Sequence, residues 1–303
     1  MIVLRSDRVL VRLDPDHGGE ILDVVDLETG RQLLGRPPFA SERPLGGDLD
    51  EATWTARYRG GWQIVFPNAG NACEVEGDQH GFHGRASNDP WRVVDAGEAA
   101  ATLVWDGHWL SAERRLEMRA DTVRVETEVR GVGRRAPFVA LEHVAAGLEL
   151  IDPEAELQLL PGAEAYELNE VDGPARAPAF AHAWPEVGLQ AGGAERADRW
   201  RLADDRLRLF TVTGLDGRAR VRNARSGQAL ELRWDARFMP HVWIWHDVRG
   251  TGGIWRHRNE MLAVEPTTVP HSLGLRRAIG EGQATWLEPG QRISWWIEAR
   301  VAA

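Results

Sequence analysis

Apolar residues in this chain recur at every second position. RVLVRLD at residues 8–14, TVRVETEVR at 122–130, RLRLFTVTG at 206–214 and ALELRWD at 229–235 each alternate apolar with polar side chains. A two-residue repeat collects the apolar groups on one side of an extended chain, as a strand with one face in a core requires. HVWIWHDV at His241–Val248 alternates too, with Val242, Ile244 and His246 on one face and His241, Trp243, Trp245 and Asp247 on the other. Turn-forming stretches such as DGRAR, RSGQ, DTV and EPGQ fall at short intervals, the spacing an antiparallel sandwich needs. The best helical stretch is the short SLGLRRAIGEG at residues 272–282. The Pro- and Gly-rich pieces at residues 35–48 and 172–180 are too short to link domains and read as surface loops. The expectation is an all-β chain: one large antiparallel β-sandwich over residues 1–303, a single domain with few short helices.

Composition narrows the chemistry. All 36 basic residues are arginine, so no lysine is present. Without an amine nucleophile the chain cannot form a Schiff base, anchor a pyridoxal cofactor or build the usual lysine-containing phosphate loop. The formal net charge is −10 and no dense basic stretch exists, which argues against a nucleic acid partner. No run of about 18 apolar residues is present, so no membrane-spanning helix is expected. The start MIVLRSDRVLVRLD spreads charges where a signal peptide would be apolar, and the single cysteine, Cys73, can form no internal disulfide. A cytoplasmic location is the expectation.

Nucleophile and cofactor signatures are missing: there is no GxSxG elbow, no strand–GxGxxG–helix unit, and Cys73 is the only thiol. His80 and His83, in HGFHGRASNDPW, offer two metal ligands where a tetrahedral site needs three or four; neither a metal nor another cofactor is expected. Fourteen tryptophans stand against two tyrosines. Indole faces pack under the C–H side of sugar rings, and they also fill the cores of sheet proteins. Acid–base chemistry by histidine and carboxylate is what is left. HGFHG carries His80 and His83. FVALEHVAAG places Glu142 and His143 at the end of an apolar strand, and MLAVEPTTVP puts Glu265 directly after another. A carboxylate in such a place is costly unless it is hydrogen-bonded or used, so each reads either as a satisfied structural group or as a working one.

Taken together and in this order, these stretches resemble the aldose 1-epimerase (galactose mutarotase-like) family over most of the chain. GWQIVFPNAGN followed by HGFHGRASNDPW is similar to the family segment in which a His-Gly pair precedes a loop ending in tryptophan. EHVAAG resembles its mid-chain histidine segment. AVEPTTVPHSLGLRRAIGEGQATWLEPGQRISWWIEARV resembles its C-terminal signature. The resemblance implies the galactose mutarotase-like supersandwich and a cofactor-independent isomerase that interconverts the α and β anomers of a sugar. It implies Glu265 as general base, His143 as general acid and His80 as a sugar contact. Asn68, Asn71, Trp62, Trp91 and Trp245 lie in segments that line the family's cleft, and His83, which has no firm counterpart in the family pattern, is a further candidate sugar contact after His80. Ala72 stands where many members carry a sugar-gripping arginine, for which Arg85 is the candidate substitute. Two alternatives stay open. One is an epimerase of a phosphorylated or acidic sugar, gripped by Arg85, Arg256 and Arg258. The other is a sugar-binding protein without catalysis on the same scaffold. The oligomeric state is not legible.

Overall fold

A computed structural model describes residues 1–39, 46–168 and 178–302. The loop expected at 35–48 therefore falls partly outside the described residues, and the one at 172–180 mostly so. Strands dominate, and each period-2 segment is a strand to within a residue or two: Val9–Asp14, Thr122–Gly131, Arg206–Thr213, Ala229–Trp234 and His241–Val248. The helical stretch forms the short helix Leu275–Gly280. A second helix, Glu51–Arg57, carried a local signal that periodicity alone does not show. Asp50 caps it by accepting the Thr53 N–H at 2.7 Å, and Glu51 lies in its first turn, where an acid favours the helix dipole.

The strands form two large sheets of 13 and nine members. The strand pairs are antiparallel apart from the parallel pairing of Tyr166 with Gly188 and an isolated Arg206–Arg249 bridge. One buried apolar cluster runs between the sheets, from Val11, Ile21, Trp62 and Ile64 on the larger to Leu116, Val125, Leu232 and Trp295 on the smaller. Burial of each such side chain contributes about 1.5–3 kcal/mol.

A buried charge pair sits in this layer. Glu142, wholly buried, accepts from both terminal nitrogens of Arg114 at 3.1 Å, from Trp62 Nε1 at 2.7 Å and from Trp295 Nε1 at 3.2 Å. Arg114 and Trp295 belong to the nine-stranded sheet, whereas Glu142 and Trp62 belong to the 13-stranded one, so the cluster stitches the two layers. Four donors on one carboxylate are what allow a charge to stay in a core. Glu142 is thus the satisfied structural group of its segment. Alternation then turns its neighbour, His143, to the opposite face of the larger sheet.

Candidate functional site

That outer face is where the chemistry-bearing residues meet. Strand Leu141–Ala146 lies between Trp62–Val65 and Glu260–Thr267, and the latter pairs with His241–Val248. The register that opposes Leu141 to Thr267 and Val144 to Val264 sets His143 across from Glu265. Gln63 flanks His143 on one side, and Trp243 flanks Glu265 on the other. One row further along, Ala145 opposes Ala263, which in turn opposes Trp245. The two alanines are buried beneath Trp54, Tyr58 and Trp255 in a separate apolar cluster.

The helix Glu51–Arg57, the 80–84 loop and the short 3-10 turn Gly253–Trp255 wall this floor into a cavity of about 270 Å³. Its aromatic wall is made of Trp54, Tyr58, Phe82, Trp243, Trp245 and Trp255. Trp54 stacks on Tyr58 with ring centroids 5.2 Å apart, and Trp245 and Trp255 lie 5.6 Å apart. Polar groups reach in from Asn71, His83, Thr251 and Ser272. The indole nitrogen of Trp255 and the hydroxyl of Ser272 are buried without a protein partner. The volume lies just below the roughly 300–1,000 Å³ of typical ligand sites, so the cavity suits a small ligand.

His143 Nε2 and Glu265 Oε1 stand 3.5 Å apart, with 4% and 3% of each residue exposed. Burial, which penalises the charged form, drives the two in opposite directions. The Glu265 carboxyl is pushed up to about 8 and the His143 imidazole down to about 4. Across the neutral range the pair therefore holds one dissociable proton between its two members. His83 is buried beside them, and burial first, then the nearby His143, holds it well below the usual histidine range.

The other residues expected at the site separate into two groups. His83, Asn71 and Trp245 line the cavity. His80, Arg85, Trp62, Asn68 and Trp91 do not. Trp62 and Trp91 are buried between the sheets, their indole N–H groups taken by Glu142 and by the Ala86 carbonyl. Asn68 is a brace for the loops: its amide donates to the carbonyls of Asn71 and Gly81, and its oxygen accepts the Leu275 N–H at 2.6 Å. His80 and Arg85 line a second, more polar cavity with Asp78, Asp89, Trp105 and Trp109. His83, and not His80, lines the cavity that holds His143 and Glu265. His80 ends the hairpin strand Asp78–His80, whereas His83 adopts a left-handed backbone, φ 60°, that turns the chain so that its side chain faces the other cavity. The H-x-x-H spacing consequently does not assemble a metal site. The one grouping of metal-ligand type among the described residues, Asp14, His17 and Glu20, is already bridged by the Arg59 guanidinium.

No protein-family model matches the chain, and no curated protein matches it in sequence. Solved structures do. A candidate aldose 1-epimerase from Klebsiella pneumoniae aligns over 98% of this chain and 77% of its own, with TM-score 0.71 at 12% identity. A galactose mutarotase related enzyme from Lactobacillus acidophilus covers 99% of this chain and 97% of its own, with TM-score 0.68 at 14% identity. A candidate aldose 1-epimerase from Escherichia coli covers 99% and 98%, with TM-score 0.65 at 16% identity. At such identities the likeness concerns architecture alone, and it extends from one end of the chain to the other. The chain has the galactose mutarotase-like fold.

Proposed function

We propose that this chain is an aldose 1-epimerase acting on a neutral aldose, opening and reclosing the sugar ring by proton transfer. The observation that carries this reading is the His143–Glu265 pair, 3.5 Å apart on the floor of a small aromatic cavity. Mutarotation must remove a proton from the anomeric hydroxyl and deliver one to the ring oxygen. Both oxygens are bonded to C1, so the acceptor and the donor must stand beside each other, as these two do. With the pair's one dissociable proton shifted onto His143, Glu265 takes the O1 proton while His143 Nε2 protonates O5. The C1–O5 bond breaks to give the open aldehyde, rotation about C1–C2 presents its other face, and reclosure returns both protons. The pair ends as it began, with no redox step and no covalent intermediate. Each positioned transfer contributes roughly 10²–10⁴-fold in rate. Asn71, His83 and Thr251 line the cavity and offer polar groups to sugar hydroxyls.

The neutral character of the substrate follows from what lines the cavity. Among the described residues its ionisable groups are Glu51, Tyr58, Glu265 and the two histidines, with no arginine. Arg85 faces the other cavity and pairs with Asp89, while Arg256 and Arg258 lie over the Phe39 ring. A phosphate or carboxylate in this cavity would meet carboxylates without a countercharge. The test is the rate of optical-rotation change of freshly dissolved α-anomers. Neutral aldoses should equilibrate faster with protein, and their 6-phosphates at least about tenfold more slowly, since one unmatched buried charge costs well over the 1.4 kcal/mol that a factor of ten represents. A preference for the phosphates would overturn the assignment.

A further inference from the structure

Leu207 and Leu209, two residues apart on the strand Arg206–Thr213, line the cavity that holds His143 and Glu265 and also an adjoining groove of about 230 Å³. Whatever enters the groove is therefore continuous with the occupant of the cavity. We propose that the groove receives an apolar group carried at C6 of the sugar, so that the substrate class is a neutral aldose with an apolar C6 substituent, a short 6-O-acyl chain or the methyl of a 6-deoxy sugar. The sugar half of this proposal rests on the epimerase reading, and the substituent half on the groove itself.

Strand order sets the reach required. Leu209 opposes Trp245, and Trp245 opposes Ala263, two residues before Glu265 on its strand. All of these side chains point to the outer face of the larger sheet. Glu265, Trp245 and Leu209 sit on three successive strands. At about 4.8 Å from strand to strand, Leu209 stands about 10 Å across the sheet from the strand of Glu265. With C1 held at the catalytic pair, that span exceeds the ring, and C6 is the one carbon of a hexopyranose that lies outside it.

The chemistry of the groove selects what C6 carries. Among the described residues Leu168, Val187 and Leu189 join the two leucines in its lining. Leu207 is 49% exposed, a large apolar side chain left to water at the edge of the cavity. The charged groups beside it already have partners. Glu195 pairs with Arg206 at 2.9 Å and Arg208 at 3.0 Å, and Glu167 accepts the Gln190 N–H at 3.1 Å. On the cavity side the Trp243 indole donates to the Val269 carbonyl at 2.9 Å. A C6 hydroxyl among these groups gives up water with little hydrogen bonding in return, whereas a methyl or acyl chain covers Leu207. The backbone holds the leucine in place. Buried Asp247 accepts the N–H groups of Gly250 at 2.9 Å and Thr251 at 3.1 Å, and that turn packs so closely that a Cβ on Gly250 would lie 2.2 Å from the Leu207 nitrogen.

The experiment compares an aldohexose, its 6-deoxy form and its 6-O-acetyl and 6-O-butanoyl esters on the full-length protein. Saturation transfer between anomers gives kcat/KM, and tryptophan fluorescence gives Kd. A buried methylene is worth about fourfold, so the butanoyl ester should surpass the acetyl ester about fifteenfold in both measurements, and the 6-deoxy sugar should surpass the hexose. Leu207→Ser, at a half-exposed position, should reduce the butanoyl preference at least about fourfold. Equal values for the four sugars overturn the proposal, and so does a preference that Leu207→Ser leaves intact. A preference in Kd without anomer exchange supports the groove and overturns the epimerase reading, whereas equal exchange of all four supports that reading and overturns the groove.

Discussion

Replacing Glu265 with glutamine should remove a proton acceptor and at the same time change how stability depends on pH. The carboxyl is 3% exposed, and burial raises its pKa from 4.5 in the unfolded chain to about 8 in the fold. A raised pKa means that the folded state holds more protons than the unfolded state between those two values. The contribution of Glu265 is therefore most favourable below pH 4.5 and is lost as pH rises towards 8. Each pH unit costs about 1.4 kcal/mol, so from pH 5 to pH 7.5 the wild type should lose on the order of 3 kcal/mol through this group. Glutamine does not titrate. His143 has the opposite sign, its lowered pKa costing stability as pH falls from 6.5 towards about 4, but it is present in both proteins and largely cancels in their difference. Urea unfolding of both proteins at several pH values measures that difference. Glu265→Gln should gain on the wild type by on the order of 3 kcal/mol across the window while its anomer exchange falls at least about a hundredfold. Stability curves that run parallel from pH 5 to 7.5 would refute the burial argument, and with it the placement of a neutral carboxyl on the cavity floor.

Further predictions follow from the same geometry. The pH profile of kcat/KM should be a bell with limbs near 4 and 8, belonging to the pair as a unit; a rate still rising above pH 9 would show that the carboxylate alone is the active form. Arg114→Met leaves the Glu142 charge uncompensated between the sheets and should cost about 3–5 kcal/mol in urea unfolding, whereas a loss below about 1 kcal/mol would mean the carboxylate has another partner or is protonated. His83→Ala should raise KM for the sugar about tenfold by removing a group that lines the cavity, while His80→Ala, facing the other cavity, should leave KM and kcat unchanged; the reverse pattern in steady-state kinetics would restore His80 as the sugar contact.

The strands were legible because burial on one face imposes a period that survives any tertiary detail, as in Thr122–Gly131, whose alternate residues are buried between the sheets. Segments rich in chemistry were legible too, and Glu265 and His143 do share a cavity. Register was not. Whether His143 stands across from Glu265 depends on a pairing between strands more than a hundred residues apart, and a slip of one residue would have put Glu142 there instead. The tryptophans show the same limit. Trp62 and Trp245 look alike in sequence, but one points between the sheets to Glu142 and the other to the cavity. Trp54, Tyr58 and Trp255 went unnoticed because they sit on a short helix and a 3-10 turn without long periodicity; the Asp50 cap was the one local signal for that helix. Which histidine faces the cavity turned on the left-handed backbone at His83, a conformation uncommon outside glycine even though histidine is enriched in it.

Saturation transfer between the anomeric protons of a neutral aldose reads the proposed reaction without a coupling enzyme or a label. Saturating the α-anomeric resonance in the presence of the protein should attenuate the β-anomeric one, in proportion to protein concentration and at rates well above the buffer-catalysed exchange. If tryptophan fluorescence shows the sugar bound while the anomers exchange no faster than in buffer, the paired carboxyl and imidazole perform no ring opening, and the protein is a sugar binder built on the same architecture.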